Sequence, residues 1–519
     1  MNFLIDRRKL RLLIKGFNFF RLKMIKYSRI LTDIFVSQTL SSTKMVILNI
    51  QYINAYSEIE LLMGKALKRQ GYAVKAIICP GLEYCEREDH STPRPNCDEC
   101  QNECKQYCDT YGIDFFEPAT YSNDTNTTPE YSEFQKFPKI AKAEYTHRSY
   151  IHFCKSYSEF DRELWIRIEN SIDFFSKYLL WLKLGNLEVE RVITSNGKFF
   201  QTGLPLDLIV SENGFITTEA FGIDDKVILG RNTHALNQHF EIDRSTLEDV
   251  EIDELFVDSF LNEQGVTPSK KINVWSGGRE ESHLEISKEL KTREYEKVVC
   301  YFPNVIWDSV WLGIGYFDYS PAITIKTLNA LAERFTKTLF LVRSHPAEVN
   351  VPQKLKATGS ICSDLSLSNV SLRENVTVIP SHSKLSSYAI ADLSDEIIVW
   401  NTTLGLELMC SGRRVLTLAD GFYSVFGPSI NITSVKELES ILAGPASNHL
   451  SNEEVQLARK MLFINRNLKR FKSPIHFGAR PVKLCWWSMS SKESRFTDSF
   501  MDYFDGRVDA IELVKKVEG

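Results

Sequence analysis

The sequence predicts an α/β protein of two Rossmann-like units, and three observations carry that prediction. Short runs such as Met45-Val46-Ile47-Leu48-Asn49-Ile50 and Ile397-Ile398-Val399-Trp400 are apolar almost throughout rather than at alternate positions, the pattern of parallel strands buried on both faces. Helical stretches separate such runs, as Glu58 to Gln70 does before the strand Ala73 to Ile78, which gives β-α-β units. The pattern begins at Met45 and begins again at Val298 to Phe302, and 519 residues are enough chain to bury two cores.

Residues 1–44 precede the first strand. Within the first thirty, Arg7, Arg8, Lys9, Arg11, Lys15, Arg21, Lys23, Lys26 and Arg29 face a single acid, Asp6, and are interleaved with Leu10, Leu12, Leu13, Ile14, Phe17, Phe19, Phe20 and Leu22. A basic amphipathic helix bearing aromatics is the pattern of an anchor on an anionic inner-leaflet surface. A solvated helix capping the fold, or sequence upstream of a start at Met45, are the competing readings. The segment lacks the uninterrupted apolar core and small-residue cleavage site of a secretory signal, and no run of about eighteen apolar residues spans a membrane anywhere. The net charge of −5 gives no argument for a nucleic-acid partner.

The first unit is expected over 45–265. No Gly-x-Gly-x-x-Gly follows its first strand, which argues against NAD or a flavin dinucleotide. Six of the eleven cysteines crowd into the next stretch, at Cys79, Cys85, Cys97, Cys100, Cys104 and Cys108. Cys97-x-x-Cys100 is a metal clip, and Cys100, Cys104 and Cys108 share a face if the segment is helical. Four thiolates from this set suit structural zinc or a [4Fe–4S] cluster, and the spacing does not choose between them. Disulfides in an extracellular protein, or buried thiols in a cytoplasmic one, are the alternatives. The other five cysteines are scattered, four in or beside apolar segments, as in a reduced cytoplasmic chain. Residues 118–140 read as a polar insertion on the acceptor side. Ser158 to Leu184 carries a helical apolar stripe, and Glu190 to Ser195 is a strand ending in Asn196-Gly197. Gly214 to Glu219 is a strand ending on a carboxylate.

The second unit is expected over 266–475, after a crossing within 251–271, with a helical tail over 476–519. Asn304 and Asp308 lie on the loop after its first strand, and Ala322 to Phe335 is the following helix. The next strand ends in Arg343-Ser344-His345-Pro346, where the histidine is placed to reach a phosphate or a base edge. Val376 to Ile379 is a strand, Lys384 to Leu393 a helix, and Ile397 to Trp400 a strand turning through Asn401-Thr402-Thr403-Leu404-Gly405 into another helix. Hydroxyls at Thr402 and Thr403 and a glycine at a helix start form a phosphate seat, and Glu407, one turn on, suits the hydroxyls of a ribose. These residues read as the nucleotide half of a nucleotide-sugar site, provided the strands ending at Arg343 and Trp400 are neighbours.

Arg343-Ser344-His345-Pro346, then Ser394-Asp395-x-Ile397-Ile398-x-Trp400-Asn401-Thr402-Thr403-x-Gly405-x-Glu407 with Gly412 before the next strand, resembles the capsule and surface polysaccharide biosynthesis family, which includes bacterial Kdo transferases of GT-B type. Tyr301-Phe302-Pro303-Asn304-Val305-x-Trp307-Asp308 is similar to a further element of it. The His-Pro pair and the paired Ser/Thr are also similar to motifs of CMP-sugar-using GT-B sialyltransferases. The resemblance implies two units facing a cleft, with the donor held by Asn304, Asp308, Arg343, Ser344, His345, Asn401, Thr402, Thr403, Gly405 and Glu407. It makes Asn196-Gly197 and the strand ending at Glu219 the matching N-terminal half, with Glu219 as the catalytic carboxylate and Asp224 and Asp225 as rivals. His345 would also stabilise the leaving nucleotide. The implied donor is CMP-Kdo-like, with UDP-sugars open, and the acceptor a glycan or lipid-linked glycan. No Asp-x-Asp pair ends a strand in this half, so a catalytic metal is not required. Transfer of a polyol phosphate from a CDP-activated donor, or a non-catalytic metal-stapled scaffold, are the alternatives.

Overall fold

The computed structural model describes residues 45–85, 96–118, most of 142–150, 161–184, 188–209, 214–221, 226–235, 244–264, 283–305, 321–349, 371–419, most of 421–468, 470–473 and 491–518. The basic segment 1–44, Asp224, Asp225 and Asp308 lie outside the described residues. No described helix is long and apolar enough to cross a membrane.

The first sheet holds β1 (Met45–Ile50), β2 (Ala73–Ile78), β3 (Asp114–Phe116), β4 (Val189–Ser195), β5 (Phe215–Phe221) and β6 (Lys226–Arg231). The second holds β7 (Lys297–Phe302), β8 (Thr338–Arg343), β9 (Val376–Ile379), β10 (Glu396–Val399), β11 (Leu416–Thr417) and β12 (Ile430–Asn431). The first runs β6-β5-β4-β1-β2-β3 and the second β12-β11-β10-β7-β8-β9. Counted from its own first strand, each sheet has the doubly wound order 3-2-1-4-5-6, so the expected pair of Rossmann-like units is what the chain forms. The second sheet is parallel throughout, whereas β6 runs antiparallel to β5.

The apolar runs are buried on both faces. Val46, Leu48 and Ile50 of β1 enter one apolar layer and Ile47 the other, and β7 splits in the same way between Val298, Cys300 and Phe302 and Val299 and Tyr301. Helices α1 (Ala55–Arg69), α2 (Cys97–Tyr111), α3 (Arg162–Leu184), α4 (Phe200–Ile209), α5 (Pro321–Ala332), α6 (Thr403–Cys410) and α7 (Asn452–Phe463) include the crossovers that cover these faces. Asn54 and Ser57 form a capping box at the start of α1, which fixes where the chain turns after β1.

After α7 the chain returns to the first sheet. β13 (Phe471–Lys472) pairs antiparallel with β6. Then α8 (Ser491–Phe504) and α9 (Ala510–Glu518) complete the layer on β1, with Phe496, Phe500, Tyr503 and Phe504 buried beside Val46, Leu48 and Ile59.

Two local expectations change. The strand carrying Glu219 does not stop there but continues to Phe221 in a hairpin with β6, where Glu219 faces Ile228. The strands ending at Arg343 and Trp400 are not neighbours, because β7 runs between β8 and β10. Sequence spacing cannot see a strand from upstream of both motifs set into that gap.

Candidate functional site

In doubly wound sheets ligands bind beyond the carboxyl ends of the strands, where the strand order reverses. In the second sheet that point lies between β7 and β10. The residues just past these strand ends, Asn304 and Asn401, are both buried, and Asn304 Nδ2 donates to Asn401 Oδ1 at 3.2 Å. Asn304 Oδ1 accepts from the Val305 amide at 2.8 Å, which fixes the orientation of that amide group.

Thr402 is the residue before α6, but its side chain makes no capping bond to the helix. Its Oγ1 is buried without a hydrogen-bond partner among the described residues, as is Ser344 Oγ past β8. A buried hydroxyl left unpartnered costs about 1–3 kcal/mol, so two at one sheet edge call for an explanation. Gly405 is required by packing. A Cβ there would lie 2.7 Å from the Tyr423 hydroxyl, which donates to the Thr402 carbonyl at 2.8 Å. Gly405→Ala is expected to cost about 1–3 kcal/mol by overpacking. Denaturant midpoints check this, and Tyr423→Phe, which removes the nearest atom, should recover part of the loss.

His345 caps the turn Pro346–Glu348, its Nδ1 accepting from the Ala347 amide at 3.1 Å. That bond places the ring proton on Nε2, so the imidazole offers a donor. Burial, helped by Arg343, lowers its pKa to about 4 and keeps it neutral. The ring is therefore a neutral donor rather than a cation.

Two predicted donor ligands are turned inward. The Arg343 guanidinium, 1% exposed, donates to the carbonyls of Pro380 at 2.5 Å, Ser383 at 3.1 Å and Leu385 at 3.3 Å. It holds the loop after β9 instead of presenting its charge at the sheet edge. Glu407 is buried, accepts from Tyr388 Oη at 2.6 Å, and lies 3.9 Å from Arg466. Burial raises its pKa, against the pull of Tyr388, Arg466 and Thr403, so a ribose would have to displace Tyr388 to reach it. Thr403 itself is exposed at the helix start.

The corresponding edge of the first sheet is also polar. Asn49 of β1 donates to Thr194 Oγ1 of β4 at 2.9 Å, across the point where that sheet reverses. Immediately past β4, Asn196 and Gly197 both have left-handed backbones, φ 52° and 79°, and a Cβ on Gly197 would lie 2.9 Å from His234 Nδ1. Asn196 Nδ2 donates to Glu219 Oε2 at 2.8 Å, while its carbonyl stands 3.0 Å from His234 Nδ1. A carbonyl only accepts, so Nδ1 carries the proton and the lone pair of His234 is on Nε2. Burial, with Lys198 and Arg148 nearby, lowers its pKa to about 4. Tyr145 donates to Asp207 at 2.7 Å beside Arg148. Asn196 thus links two groups able to take a proton, Glu219 and His234. Glu219 was legible in the sequence. His234, Lys198, Arg148 and Asp207 were not, although Lys198 follows directly on Asn196-Gly197.

The cysteines divide. Cys97, Cys100, Cys104 and Cys108 all lie on α2, but Cys104 and Cys108 are buried in the core while Cys97 and Cys100 are half-buried with Cys79 and Cys85. Among the described residues no group of three His, Cys, Asp or Glu side chains is already set to hold a metal ion.

No family model and no curated protein matches the chain. Among solved structures it is similar to the β-Kdo 2,4-transferase of KpsC from Thermosulfurimonas dismutans, at 15% identity over 52% of this chain and 79% of that one, TM-score 0.32. The β-Kdo 2,7-transferase of the same KpsC gives 12% identity over 54% and 79%, TM-score 0.29. A UDP-N-acetylglucosamine 2-epimerase from Listeria monocytogenes gives 9% over 81% and 91%, TM-score 0.24. Likenesses this distant carry no argument, and the fold assignment rests on the strand orders given above.

Proposed function

We propose that the protein is a glycosyltransferase of GT-B architecture acting in surface polysaccharide assembly, with a nucleotide-activated sugar as donor. The observation that supports this best is the Asn304–Asn401 pair at the reversal point of the second sheet, flanked by the unpartnered hydroxyls of Ser344 and Thr402. The start of α6, those hydroxyls and His345 Nε2–H would receive the donor phosphate and the charge it gains as the nucleotide leaves. The first sheet would hold the acceptor glycan, with Glu219 or His234 taking the proton of the attacking hydroxyl as the new glycosidic bond forms. Arg343 and Glu407 serve this reading by fixing the loop after β9 and the helix α6, not by touching the donor. A CMP-linked acid sugar is the favoured donor on the strength of the sequence resemblance.

Thermal shift against CMP-, CDP-, UDP- and GDP-activated sugars tests the donor pocket, since a ligand at 100 times its Kd adds about 2.7 kcal/mol. Thr402→Val and Ser344→Ala remove hydroxyls that have no partner among the described residues, so stability should hold or rise. Affinity should fall roughly tenfold to a hundredfold for each, the worth of a hydrogen bond to a charged group. If no donor shifts the protein, or both variants bind as tightly as the parent, the pocket is misplaced. A phosphodiester in the product would instead assign the polyol phosphate reaction to the same edge.

A further inference from the structure

The first sheet has an unanswered hydrogen-bond acceptor of its own, where its strand order reverses between β1 and β4. Asn49 of β1 is buried, and its Nδ2 donates at 2.9 Å both to Thr194 Oγ1 of β4 and to the Gln201 carbonyl of α4. A backbone carbonyl only accepts, so the Asn49 amide has one permitted orientation, with Oδ1 turned the other way. Thr194 agrees with this polarity: its hydroxyl reaches the Thr202 carbonyl at 3.3 Å, which takes its only proton and leaves it accepting from Asn49. Gln51, the first residue past β1, donates to Asn49 Oδ1 through Nε2. Its own amide is thereby fixed too, and Oε1 stands at the end of the relay. Gln51 is 6% exposed, and Oε1 has no hydrogen-bond partner among the described residues.

The polarity of that oxygen limits what it can meet. It calls for an O–H or N–H, and it repels the oxygens of a phosphate or a carboxylate. The helix that follows does not call for an anion either. At the start of α1 the Asn54 side chain already takes the Ser57 amide at 3.0 Å, and Ser57 Oγ takes the Asn54 amide at 2.7 Å. At α6, by contrast, Thr402 makes no capping bond. The two sheet edges therefore differ in kind. Gln51 also lies near the groups able to take a proton. β1, β4 and β5 are consecutive strands, about 4.8 Å apart, with Asn196 just past β4 and Glu219 next to Thr218, the partner of Ser195 across β4 and β5.

We propose, on the glycosyl-transfer reading above, that Gln51 Oε1 receives a hydroxyl of the acceptor sugar. The first sheet then selects a neutral hydroxyl at the point where the second selects a phosphate. Oε1 is enclosed in the free protein, so the hydroxyl reaches it with a small shift of the side chains around it. Asn49, Thr194 and Gln201 are positioning residues, which hold the amide so that it shows its oxygen and not its nitrogen.

The test reads the full chain on a printed array of bacterial glycans, then titrates a bound glycan and its single-deoxy forms against the parent and Gln51→Met. The parent should bind one deoxy form roughly threefold to tenfold more weakly, the worth of a neutral hydrogen bond, whereas Gln51→Met should bind that form and the whole glycan equally. A residue that only held the sheet edge together would weaken every form alike. Discrimination kept at every position by folded Gln51→Met overturns the proposal. So does a parent that discriminates at none, or that binds no glycan on the array. Should the variant not fold, a crystal of the parent with the glycan decides. A sugar hydroxyl within about 3 Å of Oε1 supports the assignment, and a bound glycan without that contact overturns it. Thermal shift with activated sugars keeps the two readings apart, because the donor edge does not include Gln51. Donor shifts with no glycan bound sink the Gln51 assignment alone, and glycan bound through Gln51 with no donor shift sinks the transferase alone.

Discussion

Glu219→Gln is expected to cut glycosyl transfer by roughly 10²–10⁴-fold while leaving donor affinity unchanged. The amide keeps the shape of the side chain but cannot take a proton, and its oxygen still accepts from Asn196 Nδ2, the contact seen at 2.8 Å. The loss should therefore fall on turnover. Single-turnover rates and donor affinity, measured in parallel, decide the point. If Glu219→Gln keeps its rate, His234 is the next group to test, because its Nε2 lone pair is available and Asn196 orients both. The two differ in their pH response. With His234 as base, activity falls as the imidazole protonates near its lowered pKa of about 4, and His234→Ala removes that limb. Should both variants retain full turnover, the proton acceptor is elsewhere and the assignment of this edge to chemistry fails.

Glu60 gives the largest expected effect on stability. It lies on α1, 1% exposed, and accepts from Thr218 Oγ1 at 2.9 Å. Burial pushes its pKa up to about 8, against the lowering effect of Thr218. An acid raised in the folded state is neutral there while the unfolded chain has already ionised. Its contribution to stability is therefore complete below the ordinary glutamate range and is lost as pH rises from there towards 8. The slope is up to about 1.4 kcal/mol for each pH unit crossed. Glu60→Gln retains the acceptor oxygen for Thr218 and has no proton to lose, so its stability should fall less steeply over the same window, the remaining slope coming from other acids raised by burial such as Glu58 and Glu407. Denaturation midpoints from pH 4.5 to 8.5 for both proteins test this. Equal slopes would mean that Glu60 is ionised in the fold.

The inner strands of the two sheets were legible because they are apolar on both faces, whereas the edge strands β3, β6, β12 and β13 were not read from the sequence. The second edge was legible in its local parts. Asn401 to Gly405 and His345 are contiguous with the strands that carry them, so position along the chain gave position in space. What failed was whatever depended on side-chain direction or on strand order. Arg343 and Glu407 look like ligands in a row of letters, yet both are buried and bonded within the protein. The spacing also concealed β7 between the two motifs. His234 reaches Asn196 only because β6 folds back on β5, a hairpin whose turn offers no signal pointing to a histidine beyond it.

The return of β13, α8 and α9 to the first sheet bears on the order in which the molecule can be made. All six strands of the second sheet lie between residues 297 and 431, with no strand of the first sheet among the described residues between them. The layer over β1 waits for Phe496, Phe500 and Phe504, which are made after every strand of the second sheet. The usual sequence of events in synthesis is thereby reversed. The sheet begun before the other is completed after it, and until then Val46, Leu48 and Ile59 lack the cover of these three rings.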